Sequence, residues 1–125
     1  MVVGLGIDLV ELQRVSRSLD QWGERLLAKI LSAQEVARLP PPGPERSQAV
    51  ALAIAGKEAA SKAIGTGWSR GVFWRDVEVF LGSPPGIRLH GNALQAARDL
   101  GSRGACRLRL GIQEGLATGE VHLLA

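Results

Sequence analysis

Tyrosine is absent from the chain, and two phenylalanines and three tryptophans are the only aromatic residues. The core must therefore rest on Leu, Val, Ile and Ala. The basic residues also have no interleaved rings with which to build a stacking platform for single-stranded nucleic acid. Cysteine is nearly absent. Cys106 alone excludes an internal disulfide and fits a reducing cytoplasm. No apolar run approaches the roughly 18 residues of a membrane span, and no signal-peptide pattern opens the chain, so a cytoplasmic location is expected. The excess of one charge sign over the other is small as well. Fifteen basic residues against twelve acidic ones leave a formal net charge of +3, which favours anionic partners without choosing among them. No nucleic-acid-binding motif is recognisable, and nucleic acid is not an expected partner. What is abundant is small and apolar: 46% of the 125 residues are hydrophobic, as in ordinary globular chains, and the length predicts one domain over 1–125.

One stretch brings charge into such apolar surroundings. From Ala49 to Ile64 every residue favours or tolerates helix, without proline, and Lys57, Glu58 and Lys62 arrive together before Gly65 ends the run. Glu58 and Lys62 stand one turn apart and share a face. On spacing alone that fits an i,i+4 salt bridge on a solvated face, the commoner case, before a carboxylate and an ammonium aimed at a metal-bound phosphate. A second stretch, Val2-Val3-Gly4-Leu5-Gly6-Ile7-Asp8-Leu9, reads as a strand buried on both faces and broken by one carboxylate. Asp8 there must cap the following helix, pair with a cation or bind a metal.

The rest of the chain alternates short elements. Val10–Trp22 is predicted helical, with Leu12, Val15, Leu19 and Trp22 on one face and Arg14, Arg17 and Gln21 on the other. Ser32-Ala33-Gln34-Glu35 has capping-box spacing and begins a short helix that Pro40 ends. Pro40–Pro44 is a stiff loop, and Ser47 is placed to cap the central helix. After Gly65-Thr66-Gly67, strands are predicted at Val77–Leu81 and Ile87–His90, then a helix capped by Asn92 and closed by Gly101. Cys106, Leu108, Leu110 and Ile112 alternate with Arg107, Arg109, Gly111 and Gln113, the cleanest strand signal present. A turn near Glu114-Gly115 leads to a last strand ending at Val121–Leu124. Strands and helices mix without strict alternation, so the class is α+β.

Gly6-Ile7-Asp8-Leu9-Val10-Glu11-x-x-Arg14-Val15 and Ala55-x-Lys57-Glu58-Ala59-x-Ser61-Lys62-Ala63-Ile64-Gly65-Thr66-Gly67 together resemble the holo-(acyl-carrier-protein) synthase family of phosphopantetheinyl transferases. Trp74–Val79 and Pro85–Ala93 extend the resemblance over nearly the whole chain. It implies the family's fold, an antiparallel sheet packed with a long central helix. It implies magnesium-dependent transfer of phosphopantetheine from coenzyme A to a serine of an apo acyl carrier protein, with adenosine 3',5'-bisphosphate released. Asp8 and Glu58 would be the metal carboxylates, and Asp8, Glu58 and Lys62 the catalytic set. Lys62, Gly65, Thr66 and Pro85 would bind the co-substrate. Magnesium fits such a pair, since it keeps waters and often takes one or two carboxylates beside substrate phosphates. The carrier protein would present an acidic helix to Arg14 and Arg17, and the resemblance implies a homotrimer with sites shared between subunits.

The resemblance fails at two places. The family's Ser-x-Ser-His-Glu motif falls on Arg109-Leu110-Gly111-Ile112-Gln113, so Ile112 stands in the histidine position and Gly111 in the preceding serine position. Ala53 stands where the family tends to carry an arginine. Hydrogen bonds to charged groups are worth about 1.5–3 kcal/mol, so losing two phosphate contacts would weaken the site by orders of magnitude. Arg46, Arg103, Arg107 and Arg109 are candidates to compensate. A catalytically weak relative that binds coenzyme A or serves as an interaction protein is therefore the alternative to an active transferase.

Overall fold

The chain is represented by a computed structural model covering residues 1–125. Its elements, in order, are β1 (Val2–Glu11), α1 (Leu12–Trp22), α2 (Glu24–Ile30), α3 (Ala33–Ala37) and α4 (Pro44–Ala63). A 3-10 turn at Trp74–Asp76 leads into β2 (Val77–Phe80), β3 (Gly86–Leu89), α5 (Gly91–Asp99), β4 (Cys106–Gln113) and β5 (Leu116–Leu124). The architecture is α+β, as expected. Two antiparallel sheets, β1-β5-β4 and β2-β3, flank the long helix α4.

Glycine decides how α4 meets the larger sheet. A side chain at Gly4 would lie 2.0 Å from the carbonyl oxygen of Ala63, and one at Gly6 would lie 1.8 Å from that of Ala59. At Gly119, facing Asp8 across the β1–β5 ladder, it would lie 2.5 Å from the oxygen of Ala55. Backbone therefore touches backbone along this stripe, and the alanines of α4 complete the contact with side chains small enough to permit it. The inner register of β1 is Gly4, Gly6, Asp8, Val10, so the first side chain beyond the glycines on this face is a carboxylate.

Two apolar clusters hold these layers. One gathers the C-terminal half of α4 with β2, β3, α5 and the inner faces of β4 and β5. The other packs α1 and α2 on the N-terminal half of α4 through Val15, Leu27, Ile30, Val50 and Ala51.

Several boundaries differ from expectation. β1 runs to Glu11 and α1 begins only at Leu12, ending at Gly23, whose φ of +50° turns the chain into α2. Helix α4 begins at Pro44 rather than near Ser47, because proline already has helical φ and has no N–H to leave unpaired in the first turn. Asn92 does not cap α5; its amide donates to the Gly71 carbonyl at 3.0 Å, and His90 holds the cap position. The expected burial of β1 on both faces holds for one face. Leu5, Ile7 and Leu9 point away from α4 and are 57%, 56% and 60% exposed.

Candidate active site

The glycine stripe delivers Asp8 to α4 at the turn carrying Glu58 and Lys62. The ammonium of Lys62 donates to Asp8 Oδ1 at 2.8 Å and to the carbonyl of Ile7 at 3.1 Å. Glu58 is half-buried, and its carboxylate enters none of the ion pairs in the chain. Asp8 and Glu58 line one open cleft of about 440 Å3 with Glu11, Arg14, Ser18 and Leu26. The expected pairing of Glu58 with Lys62 is thus replaced by Asp8 with Lys62. Spacing along one helix cannot register a strand that crosses it. Asp8 does not cap α1 either, since Glu11 occupies that position without a side-chain bond.

Two carboxylates from separate elements, neither clamped by arginine, form a hard, oxygen-only donor pair. Glu11 also lines the cleft, but no three acidic, histidine or cysteine side chains are grouped closely enough to hold a metal. Such a set suits magnesium, which retains waters, and is too sparse for a closed protein cage.

The remaining expected site residues lie around this centre. Arg14 is at the cleft and Arg17 is exposed on α1. Gly65 and Gly67 have φ of +80° and +55°, which is why glycine stands at both ends of the turn after α4. Thr66 is buried, its hydroxyl donating to the carbonyl of Gly67 at 2.9 Å. Pro85 is half-buried in the turn between β2 and β3. Ile112 lies on the inner face of the β4 edge, level with Ala117 and Val10. It is 42% exposed and offers no donor. Arg107 and Arg109 alternate with the inward-facing Leu108 and Leu110, so they stand on the opposite face of the sheet from Asp8. Within one chain they do not replace what Ile112 lacks. Arg46 spends its Nε on the carbonyl of Pro40 at 2.7 Å. His90 donates to Glu78 and His122 pairs with Glu120, both away from the cleft.

One polar centre escaped the sequence reading. Lys57 is 0% exposed. Its ammonium meets Glu35 Oε1 at 2.9 Å, the carbonyl of Trp74 at 2.8 Å and that of Val77, so all three protons are used. Glu35 in turn accepts from the backbone of Ser32 and of Val79, each at 2.9 Å. Burial drives the Lys57 pKa down, against the pull of the Glu35 carboxylate. The capping-box reading of Ser32 and Glu35 holds, but the same carboxylate also ties α3, α4 and β2 together. The available signal was a lysine one turn from Ala53 and Ala60 on a helix face of small side chains.

The chain as a whole matches known proteins in sequence and fold. The profile of the 4'-phosphopantetheinyl transferase superfamily matches residues 4–108. A holo-(acyl-carrier-protein) synthase of Desulfovibrio desulfuricans is 48% identical over 103 residues, 81% of this chain and 81% of that protein. The chain belongs to the holo-(acyl-carrier-protein) synthase family. A second family member, from Solibacter usitatus, is 36% identical over 126 residues, covering 99% of this chain and 98% of its own length. Among solved structures, the Neisseria meningitidis synthase superposes with a TM-score of 0.84 at 26% identity over 100% of both chains. The Bacillus anthracis synthase, described in complex with CoA (3',5'-ADP), reaches 0.76 at 30% identity over 98% of this chain and 96% of that one. Membership makes the chain an enzyme of the phosphopantetheinyl transferase class. The profile match contains Asp8, Glu58 and Lys62 and stops just short of Arg109–Gln113, where the departures lie.

Proposed function

We propose that this chain transfers 4'-phosphopantetheine from coenzyme A to a serine hydroxyl of an apo acyl carrier protein, with magnesium, releasing adenosine 3',5'-bisphosphate. The observation carrying this reading is that Asp8 and Glu58 line one cleft, with Lys62 bonded to Asp8, from a strand and a helix that the glycine stripe holds in contact. The serine oxygen forms a bond to the pantetheine-side phosphorus, the bond from that phosphorus to the bridging oxygen breaks, and the serine proton is released. Such a step needs placement and charge neutralisation more than covalent help. Magnesium held by Asp8 and Glu58 would supply neutralisation at the pyrophosphate. Lys62 adds a mobile point charge, and the Gly65-Thr66-Gly67 turn with Pro85 would flank the co-substrate. Arg14 and Arg17 face outward beside the cleft and would steer an acidic helix of the carrier protein, an attraction that salt weakens. The exposed apolar face of β1 supports self-association, for which we take the trimer that the family resemblance implies. The reducing cytoplasm, with Cys106 unpaired, is the compartment of this reading.

Incubating an apo acyl carrier protein with this enzyme, coenzyme A and magnesium should add a phosphopantetheine-sized mass by mass spectrometry. Asp8→Ala and Glu58→Ala should each remove that gain. The weak-relative reading draws on Ile112 and Gly111, which bring no phosphate donor to the β4 edge. It wins if coenzyme A binds while no carrier protein gains mass.

A further inference from the structure

The cation nearest Asp8 belongs to the protein itself. Lys62 reaches from α4 to place its ammonium on Asp8 Oδ1 and on the Ile7 carbonyl. Two oxygens of β1 thus hold a positive charge at the carboxylate assigned to the metal. The lysine side chain is 52% exposed, against 18% for Asp8, so the lysine is the partner with room to move. An ion pair with one partner largely in solvent is a weak hold.

We propose that Lys62 is a placeholder cation, which occupies Asp8 in the unliganded enzyme and must swing onto a phosphate of the substrate before Asp8 can take a divalent ion. The proposal rests on Asp8 and Glu58 being the metal carboxylates. It adds a regulation of that site. Lys62 and the metal compete for one carboxylate, so the site resists a metal ion arriving alone. A polyphosphate ligand removes the competitor by accepting Lys62, so anion and metal favour each other's binding. By linkage that favour is equal in both directions. The swing exchanges partners of one ammonium and needs no proton transfer. The lysine's four-carbon stem allows it, where arginine's planar fork would favour a fixed bidentate grip.

Two measurements on the full chain test this. The first is Mn2+ affinity without nucleotide, for wild type and Lys62→Met, with Arg98→Met on α5 as a control for lost positive charge. Lys62→Met should bind Mn2+ about tenfold more tightly, within the range of typical site couplings, and Arg98→Met should match wild type. The second follows the Lys62 side-chain nitrogen by NMR in the wild-type protein. Its ammonium signal should be protected in the metal-free state and should shift as Mg2+ and coenzyme A are added and a phosphate replaces Asp8 as its partner. An unprotected signal in metal-free protein, or one unmoved by the ligands, overturns the proposal. So does unchanged Mn2+ affinity in Lys62→Met while wild type still takes up Mn2+ with coenzyme A. Tighter Mn2+ binding beside an unmoved signal would mean plain repulsion and also overturns it. If wild type takes up no Mn2+ even with coenzyme A, the metal reading falls and takes this inference with it.

Discussion

Lys57 and Lys62 lie five residues apart on one helix and have opposite circumstances. Lys62 is half in water and held by one carboxylate and one carbonyl, whereas Lys57 is sealed among three oxygens. Removing one partner of a buried pair leaves a charge with nothing to compensate it, which typically costs about 3–5 kcal/mol. Lys57→Met should lower unfolding stability by that amount in urea titrations, and adding Glu35→Gln should restore part of it. If Lys57→Met alone proves near neutral, the pair does not hold α3, α4 and β2 together. Glu78 carries a second, milder linkage. Burial raises its pKa, but hydrogen bonds from His90 and Arg38 outweigh that and leave it below the usual carboxylate value. A carboxylate with a depressed folded pKa gives stability that is complete above its unfolded pKa and lost as pH falls through the folded one. The urea midpoint of wild type should therefore drop below about pH 4.5, and Glu78→Gln should flatten that drop. At this scale the sequence showed which residues carry charge but not which partners they meet. Asp8 was conspicuous because a carboxylate interrupts an apolar run. Lys57 was hidden among neighbouring charges, its partner lying 22 residues earlier in the chain.

At the scale of elements, the contact between α4 and the β1-β5-β4 sheet places the site. It depends on what Gly4, Gly6 and Gly119 leave out. A methyl at residue 6 would sit 1.8 Å from the Ala59 oxygen and 2.8 Å from its carbonyl carbon, both backbone atoms that cannot rotate away. Gly6→Ala must push α4 off the strand, and overpacking of this kind typically costs about 1–3 kcal/mol, occasionally more. The same displacement separates Glu58 from Asp8, so carrier-protein modification should fall along with the urea midpoint. Gly111→Ala, on the same sheet, meets only the Thr118 hydroxyl at 3.2 Å and should be mild. Equal effects from the two substitutions would sink the argument. Strand and helix types were readable from periodicity, most plainly in β4. Their ends were not, because Pro44, Gly23 and His90 set boundaries through backbone geometry that apolar spacing does not carry. The glycines of β1 stood in plain view, but their purpose lies in α4, more than fifty positions away.

For the whole molecule, the unsettled surface is the outer face of β1. The sequence reads β1 as apolar on both sides, which predicts burial on both sides, yet the isolated chain leaves Leu5, Ile7 and Leu9 in water. Beside them stand His122 and Glu120 of β5, followed by Arg107 and Arg109 of β4. A row of large apolar side chains flanked by charges of both signs has the make-up of an interface, apolar in the middle and polar at its rim. In the proposed trimer the double-sided pattern of β1 would be satisfied by assembly rather than by folding. It also bears on Ile112 and on the outward-facing Arg107 and Arg109. If neighbouring copies complete the site, phosphate contacts missing from one chain's inner face have a source on another chain's outer face. Leu5→Glu, at a side chain mostly exposed in the isolated chain and outside the Asp8–Glu58 cleft, should fold normally and shift the species seen by light scattering from the proposed trimer to monomer. Its carrier-protein modification should fall in proportion. Its thermal midpoint should also lose the dependence on protein concentration that an assembled wild type shows. A wild type that is monomeric at micromolar concentration and still active would leave the apolar face unexplained. It would also confine the search for replacement phosphate contacts to the Asp8–Glu58 cleft of a single chain.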